Sequence, residues 1–97
     1  MSSGQSAFTF EWDAQKARDN LQKHGVSFDE AVTAFSDLLS RTIRDPDHSH
    51  VEERYLLMGL SNRRRLLLVA HTEHGDRIRL ITARLASKRE RHQYEED

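Results

Sequence analysis

The chain contains no cysteine. That excludes a disulfide framework, a thiolate metal centre and a cysteine nucleophile. A small domain that manages without disulfides suits a reducing cytoplasm, the location expected here. There is one proline, Pro46, and there are four glycines, so sharp turns are confined to a few places. Apolar residues make up only 36% of the 97 positions, which allows one modest core and one domain. No apolar run has the length needed to cross a bilayer, and no membrane partner is expected. The opening "MSSGQSAF" lacks the basic and apolar pattern of a signal peptide. It reads as a flexible leader, residues 1–7, ahead of a single domain over 8–97. P-loop, G-x-G-x-x-G and G-x-S-x-G motifs are missing, which leaves nucleotide-binding and hydrolase-elbow readings without support.

Charge is abundant instead, at 32% of residues, and unevenly spread. Residues 1–53 hold 5 basic and 10 acidic side chains, a net of −5. Residues 54–97 hold 10 basic, nine of them arginine, and 6 acidic, a net of +4. An arginine-rich half points toward a polyanion or an acidic partner.

The pattern of elements is α+β. "FTFEW" alternates as a short strand, and Asp13 suits a helix N-cap. Trp12 and Ala17 are placed to staple across that cap. Ala14, Ala17 and Leu21 recur at helical spacing as a core face, and Gly25 supplies a left-handed stop. Ser27 and Glu30 form a capping box, S-x-x-E, ahead of Phe28, Ala31, Val32 and Phe35 at i, i+3, i+4 and i+7. Strand-like segments follow at Leu38–Asp45, Arg54–Ser61, Arg65–Glu73 and Arg77–Arg84. The last three are joined by tight turns, at Asn62–Arg64 and His74–Asp76, which implies an antiparallel meander. Ser87 and Glu90 form a second capping box before a charged C-terminal helix. The expectation is an antiparallel sheet, N-terminal strand plus meander, covered by two N-terminal helices, with a third helix at the end.

Three polar constellations could carry chemistry. Lys16, Asn20 and His24 fall four residues apart on one helix face. Lysine can hold a phosphate, histidine can move a proton near neutral pH, and asparagine can orient either. An ordinary solvated helix face carries the same stripe. In "EER", Glu52 to Arg54, where a loop enters a strand, alternation puts Glu52 and Arg54 on one side and Glu53 on the other. A carboxylate beside arginine there suits a base beside a phosphate clamp, or a structural ion pair. On the final strand, alternation puts Arg77 and Arg79 on one face. It puts Arg84 with Ile78, Leu80 and Thr82 on the apolar one, where a charge needs a partner or an opening to solvent. His48, His50, His71 and His74 do not fall at ligand spacing on a helix, so neither a metal nor another cofactor is expected.

In order along the chain, "FEWDAQKARDNLQKHGVSFDEA", "EER", "GLS", "LLLVAHTE", "RIRLITAR" and "ASKRERHQYEE" resemble the BrnT toxin family of BrnT–BrnA type II toxin–antitoxin systems. The likeness runs from Phe8 to Glu96. Its most specific parts are the W-D-x-x-K-x-x-x-N-x-x-K-H-G-V-S-F run and the final strand. The resemblance implies a small RelE-like ribonuclease that cuts RNA, slows translation and halts growth. It also implies a BrnA antitoxin with a ribbon-helix-helix part, and contact with DNA only through the toxin–antitoxin complex. The positions matching the family's polar set are Lys16, Asn20, His24, Glu53, Arg54, Arg79 and Arg84. The chain departs from the pattern at Thr82, where many relatives have serine, and at Arg64, where relatives often have glycine.

Metal-free RNA cleavage uses the 2′-hydroxyl as nucleophile on the adjacent phosphate. It needs a base, cations for the phosphorane and an acid for the leaving oxygen. Glu53 or His24 is expected as base, and Arg54, Arg79 and Arg84 as phosphate stabilisers. Lys16 would neutralise charge or protonate the leaving group, with His71 as a reserve acid. A non-catalytic domain that binds RNA, a ribosome surface or a protein would use the same arginines and dispense with Glu53 and His24. A stand-alone DNA-binding module has less support, because no helix-turn-helix with a basic recognition helix is present.

Overall fold

The structure, a computed structural model, describes residues 8–48 and 52–95. The expected leader, His50 and the last two acidic residues lie outside them. The chain forms β1 (Thr9–Glu11), α1 (Ala14–His24), α2 (Phe28–Ala34), β2 (Arg41–Arg44), β3 (Tyr55–Leu60), β4 (Leu66–His74), β5 (Arg77–Leu85) and α3 (Lys88–Glu95). The five strands make one sheet in the order β1-β5-β4-β3-β2. The α+β class is as expected. The meander is antiparallel from β2 through β5, while β1 joins the far edge parallel to β5. No helix among the described residues is long and apolar enough to cross a membrane.

Capping fixes the two N-terminal helices. The Asp13 carboxylate accepts the Lys16 N–H, and Gly25 ends α1 at φ 71° with its N–H on the Leu21 carbonyl. Ser27 Oγ accepts the Glu30 N–H at 3.0 Å and starts α2. Only that half of the expected box forms. The Glu30 carboxylate turns inward instead, taking Arg65 Nε at 2.9 Å and the Ser61 hydroxyl at 2.7 Å. Its carboxyl is lowered, chiefly by Arg65, against burial. This buried pair ties α2 to the β3–β4 hairpin. At Ser87 the box is complete: Ser87 N–H donates to Glu90 Oε1 and Glu90 N–H to Ser87 Oγ.

The core lies between the sheet and helices α1 and α2. Leu57, Val69 and Ala83 stand in register across three strands, with Val26, Phe28, Ala31 and Ala34 against them. Trp12 meets Phe28 edge-on at 5.7 Å. Gly59 lets α2 come close, since a Cβ there would lie 2.6 Å from the Ala34 carbonyl oxygen. Helix α3 crosses the opposite sheet face. It is held by Arg84, whose guanidinium meets both Glu90 carboxylate oxygens at 2.9 Å, and by the Tyr94 hydroxyl on Asp37.

Two expectations are corrected. Leu21 does not face the core of α1; it is exposed, and the buried residue of that helix is Asn20. Strand β1 covers β5 only from Arg77 to Arg79, so the edge of β5 beyond it needs other partners. Asn20 fills that role, donating to the Ala83 and Val26 carbonyls at 2.8 and 2.9 Å and accepting the Ala83 N–H at 3.1 Å. A side-chain amide thus replaces a missing strand, and the helix turns to bury it. The second correction concerns Arg84. Leu80 pairs with His71 and Thr82 with Ala70, which leaves Ile81 as an extra residue in a bulge. The bulge switches parity. Ala83 therefore joins Ile78 and Leu80 in the core, and Arg84 moves to the face of Arg77 and Arg79.

Candidate functional site

The polar residues of interest divide between two places. The first is the end of the sheet where β3 begins. Register places Arg44, Tyr55, His71 and Leu80 side by side across β2, β3, β4 and β5. Glu53 lies two residues before Tyr55, hence on the same face of an extended chain. The Tyr55 hydroxyl donates to Glu53 Oε1 at 3.0 Å, and Arg44 Nε lies 3.6 Å from Glu53 Oε2. The hydrogen bond to Glu53 raises the Tyr55 phenol above its ordinary value. Beneath them the Tyr55 ring stacks on His71, which also meets Phe35 edge-on at 5.0 Å. His71 is 0% exposed, and its Nε2 sits 2.9 Å from the Glu73 carboxylate.

That geometry alters the expected division of labour. Glu53 is exposed and held from two sides. His71 has no surface with which to touch RNA; it is a floor under Tyr55, linked to solvent only through Glu73. Arg54 follows Glu53 and projects to the other sheet face by alternation. Its carbonyl accepts the Asp45 N–H at 2.8 Å, continuing the β2–β3 pairing past the ladder. Arg79 pairs with Thr72 on β4, the neighbour of His71, and with Glu11 on β1. It is exposed and lies on the same face as Arg54. At this end of the sheet Arg54 and Arg79 therefore share one face, and Glu53 lies on the other with Tyr55 and Arg44.

The second place is the seam between α1 and β5. Lys16, Asp19, Asn20, Lys23 and His24 line a shallow groove of about 200 Å³ with Ile81 and Thr82. Lys16 and His24 are presented there, while Asn20 is consumed by the Ala83 clasp. Strands β3 and β5 are two spacings apart, roughly 10 Å, so Lys16 and His24 do not share one reaction centre with Glu53. Arg84 is committed to Glu90 and also reaches the Leu85 carbonyl at 3.1 Å. Two further histidines have carboxylate neighbours, His48 with Asp45 and His74 with Glu52, each at 3.1 Å.

Arg44, Tyr55, Glu73 and Lys23 were not singled out in the sequence. A period-of-two signal was available for two of them: Glu53-x-Tyr55 and His71-x-Glu73 each put both side chains on one strand face. Arg44 gave no local signal, because only strand pairing brings it to Glu53.

No curated protein matches the chain. The 1.1 Å crystal structure of the Brucella abortus ribonuclease toxin BrnT matches with a TM-score of 0.63 and 25% sequence identity. The match covers 84% of this chain and 100% of that one. A family model described as the ribonuclease toxin BrnT of type II toxin–antitoxin systems matches residues 12–90. The α+β fold and the match over most of the sequence agree: this chain belongs to the BrnT family of ribonuclease toxins of type II toxin–antitoxin systems.

Proposed function

We propose that the chain is an endoribonuclease that cleaves RNA without a metal ion, using the substrate's own 2′-hydroxyl as nucleophile. The observation that carries this reading is Glu53, an exposed carboxylate fixed between the Tyr55 hydroxyl and Arg44, with Arg54 the next residue. Glu53 takes the 2′-hydroxyl proton. Arg44, 3.6 Å from Glu53 and on the same face, stabilises the charge of the phosphorane, the part of such a reaction where preorganised cations contribute most. Arg54 and Arg79, on the other face of that sheet end, draw in the RNA backbone. Tyr55 holds Glu53 in place through its hydroxyl. Lys16 and His24 hold the RNA backbone along the α1–β5 seam, away from the cut. Arg84 secures α3 through Glu90 on the opposite face of the sheet.

Cleavage of cellular RNA in the cytoplasm would inhibit translation and arrest growth. A cognate BrnA-like ribbon-helix-helix antitoxin would neutralise the toxin, and DNA would be met only through that complex.

The test is incubation of the purified chain with a labelled RNA, with and without EDTA, and analysis of the product ends. The expected result is EDTA-resistant cleavage leaving 2′,3′-cyclic phosphates, strongly slowed in Glu53→Gln. Cleavage that stops with EDTA, or leaves 3′-hydroxyl ends, refutes the mechanism. RNA that is bound but intact favours the non-catalytic module.

A further inference from the structure

Strand β2 is the outer strand of the sheet, and all four of its residues are exposed. The Asp45 N–H donates to the Arg54 carbonyl of the neighbouring chain segment. Backbone groups alternate sides along an antiparallel strand, so Arg41 and Ile43 also turn theirs toward β3. Thr42 and Arg44 turn their N–H and C=O groups outward. Just before this edge, Leu38 and Leu39 are 98% and 71% exposed. Ile43 continues onto a cleft of about 430 Å³ that it lines with Leu56, Met58 and Leu68 of the sheet and Glu90 and Gln93 of α3.

An edge of this kind invites another strand unless charge, proline, a bulge or a covering element protects it. Beside consecutive exposed leucines and an apolar cleft, the edge has the character of an interaction surface. We propose that the β2 edge receives an extended segment of the antitoxin as a sixth strand. This deepens the toxin–antitoxin reading and rests on it. The chemistry of the edge defines the segment. Acidic residues would meet Arg41 and Arg44, and apolar residues would cover Leu38, Leu39 and Ile43 and enter the cleft. A second copy of the chain fits poorly, because self-pairing sets the arginines of two β2 strands against each other with no acidic residue in either. RNA fits poorly too, since it has no use for the leucines or for a ladder of peptide groups.

The experiment uses the full chain and the purified product of the reading frame beside its own. Amide exchange is measured in the free toxin and in the mixture, and affinity is measured for Thr42→Pro and Leu39→Asp. Proline at 42 removes an outward N–H and leaves the β2–β3 ladder intact. The expected result is protection of the Thr42 and Arg44 amides and roughly tenfold or greater weakening in each variant, with RNA cleavage unchanged. Exchange in the unsubstituted protein gives the answer even if a variant misfolds. The proposal is overturned if those amides exchange as in the free chain, or if the neighbouring product does not bind. It is also overturned if they are protected by an RNA oligonucleotide or by self-association instead. Binding is read without RNA, so a toxin that fails to cleave leaves this result interpretable.

Discussion

Asn20 and Ala83 exchange two hydrogen bonds, the amide of one side chain pairing with both backbone groups of the other residue. The contact spans 63 residues of sequence and lies in the core. Asn20→Ala would leave the Ala83 N–H and carbonyl and the Val26 carbonyl without partners. The expected loss is roughly 2–4 kcal/mol, read from urea unfolding. A loss under about 1 kcal/mol would show that water replaces the amide at little cost.

Arg64 sits at the hairpin tip with φ 64°, where its N–H reaches the Ser61 carbonyl at 2.9 Å. A side chain is strained in that region and glycine is not. Arg64→Gly is expected to stabilise the chain by about 1 kcal/mol and raise Tm by a few degrees. A lower Tm would mean that the arginine's contacts outweigh its strain.

Gly59 gives the opposite case. Gly59→Ala pushes a methyl group against the Ala34 backbone oxygen, 2.6 Å away, where neither side can yield cheaply. Destabilisation of roughly 1–3 kcal/mol is expected, and an unchanged unfolding midpoint would contradict the close approach of α2.

The Glu90 carboxyl is pulled from 4.5 down to about 2 by Arg84, helped by the Ser87 N–H and opposed by burial. A folded-state value below the unfolded one stabilises the protein above the unfolded value. That contribution is complete above pH 4.5 and fades as pH falls toward 2. Glu90→Gln should therefore be the less stable protein at pH 7 by about 1–2 kcal/mol, a figure reduced because Arg84 is 40% exposed. The gap should close near pH 2. Parallel curves for the two proteins across that window would count against the pairing.

For activity, Glu53→Gln is expected to slow cleavage by about a hundredfold or more, since a positioned base contributes on that scale. Tyr55→Phe keeps the stack on His71 and removes only the hydroxyl, so a milder fall with unchanged stability is expected. Lys16→Ala should raise KM more than it lowers kcat. A Tyr55→Phe enzyme as active as the parent would remove Tyr55 from the site.

Local rules carried far in this chain. The N-cap at Asp13, the stop at Gly25 and the restart at Ser27 are each visible in a few letters, and the meander follows from its turns. What escaped was set by long-range pairing. Nothing near Asn20 indicates that it completes a sheet edge, and nothing near Glu30 indicates that Arg65 will take its carboxylate. The Ile81 bulge defeats alternation because an extra residue is visible only against the partner strand. Of the polar set, Arg54 and Arg79 share one face of a sheet end and Glu53 lies on the other, while Lys16 and His24 sit at the α1–β5 seam and Arg84 is tied to α3.

The extra residue in β5 also determines which kinds of mutation this strand can absorb. A substitution at Ile81 alters one half-buried side chain. Deleting the position is a different event: Leu80 would still pair with His71 and Thr82 with Ala70, so the ladder would run on without a bulge, Ala83 staying in the core and Arg84 beside α3. A residue inserted between Thr82 and Ala83 would instead turn the strand end over, sending Ala83 to the far side and Arg84 into the apolar layer. Here counting matters more than chemistry, and the length of the strand is the constraint.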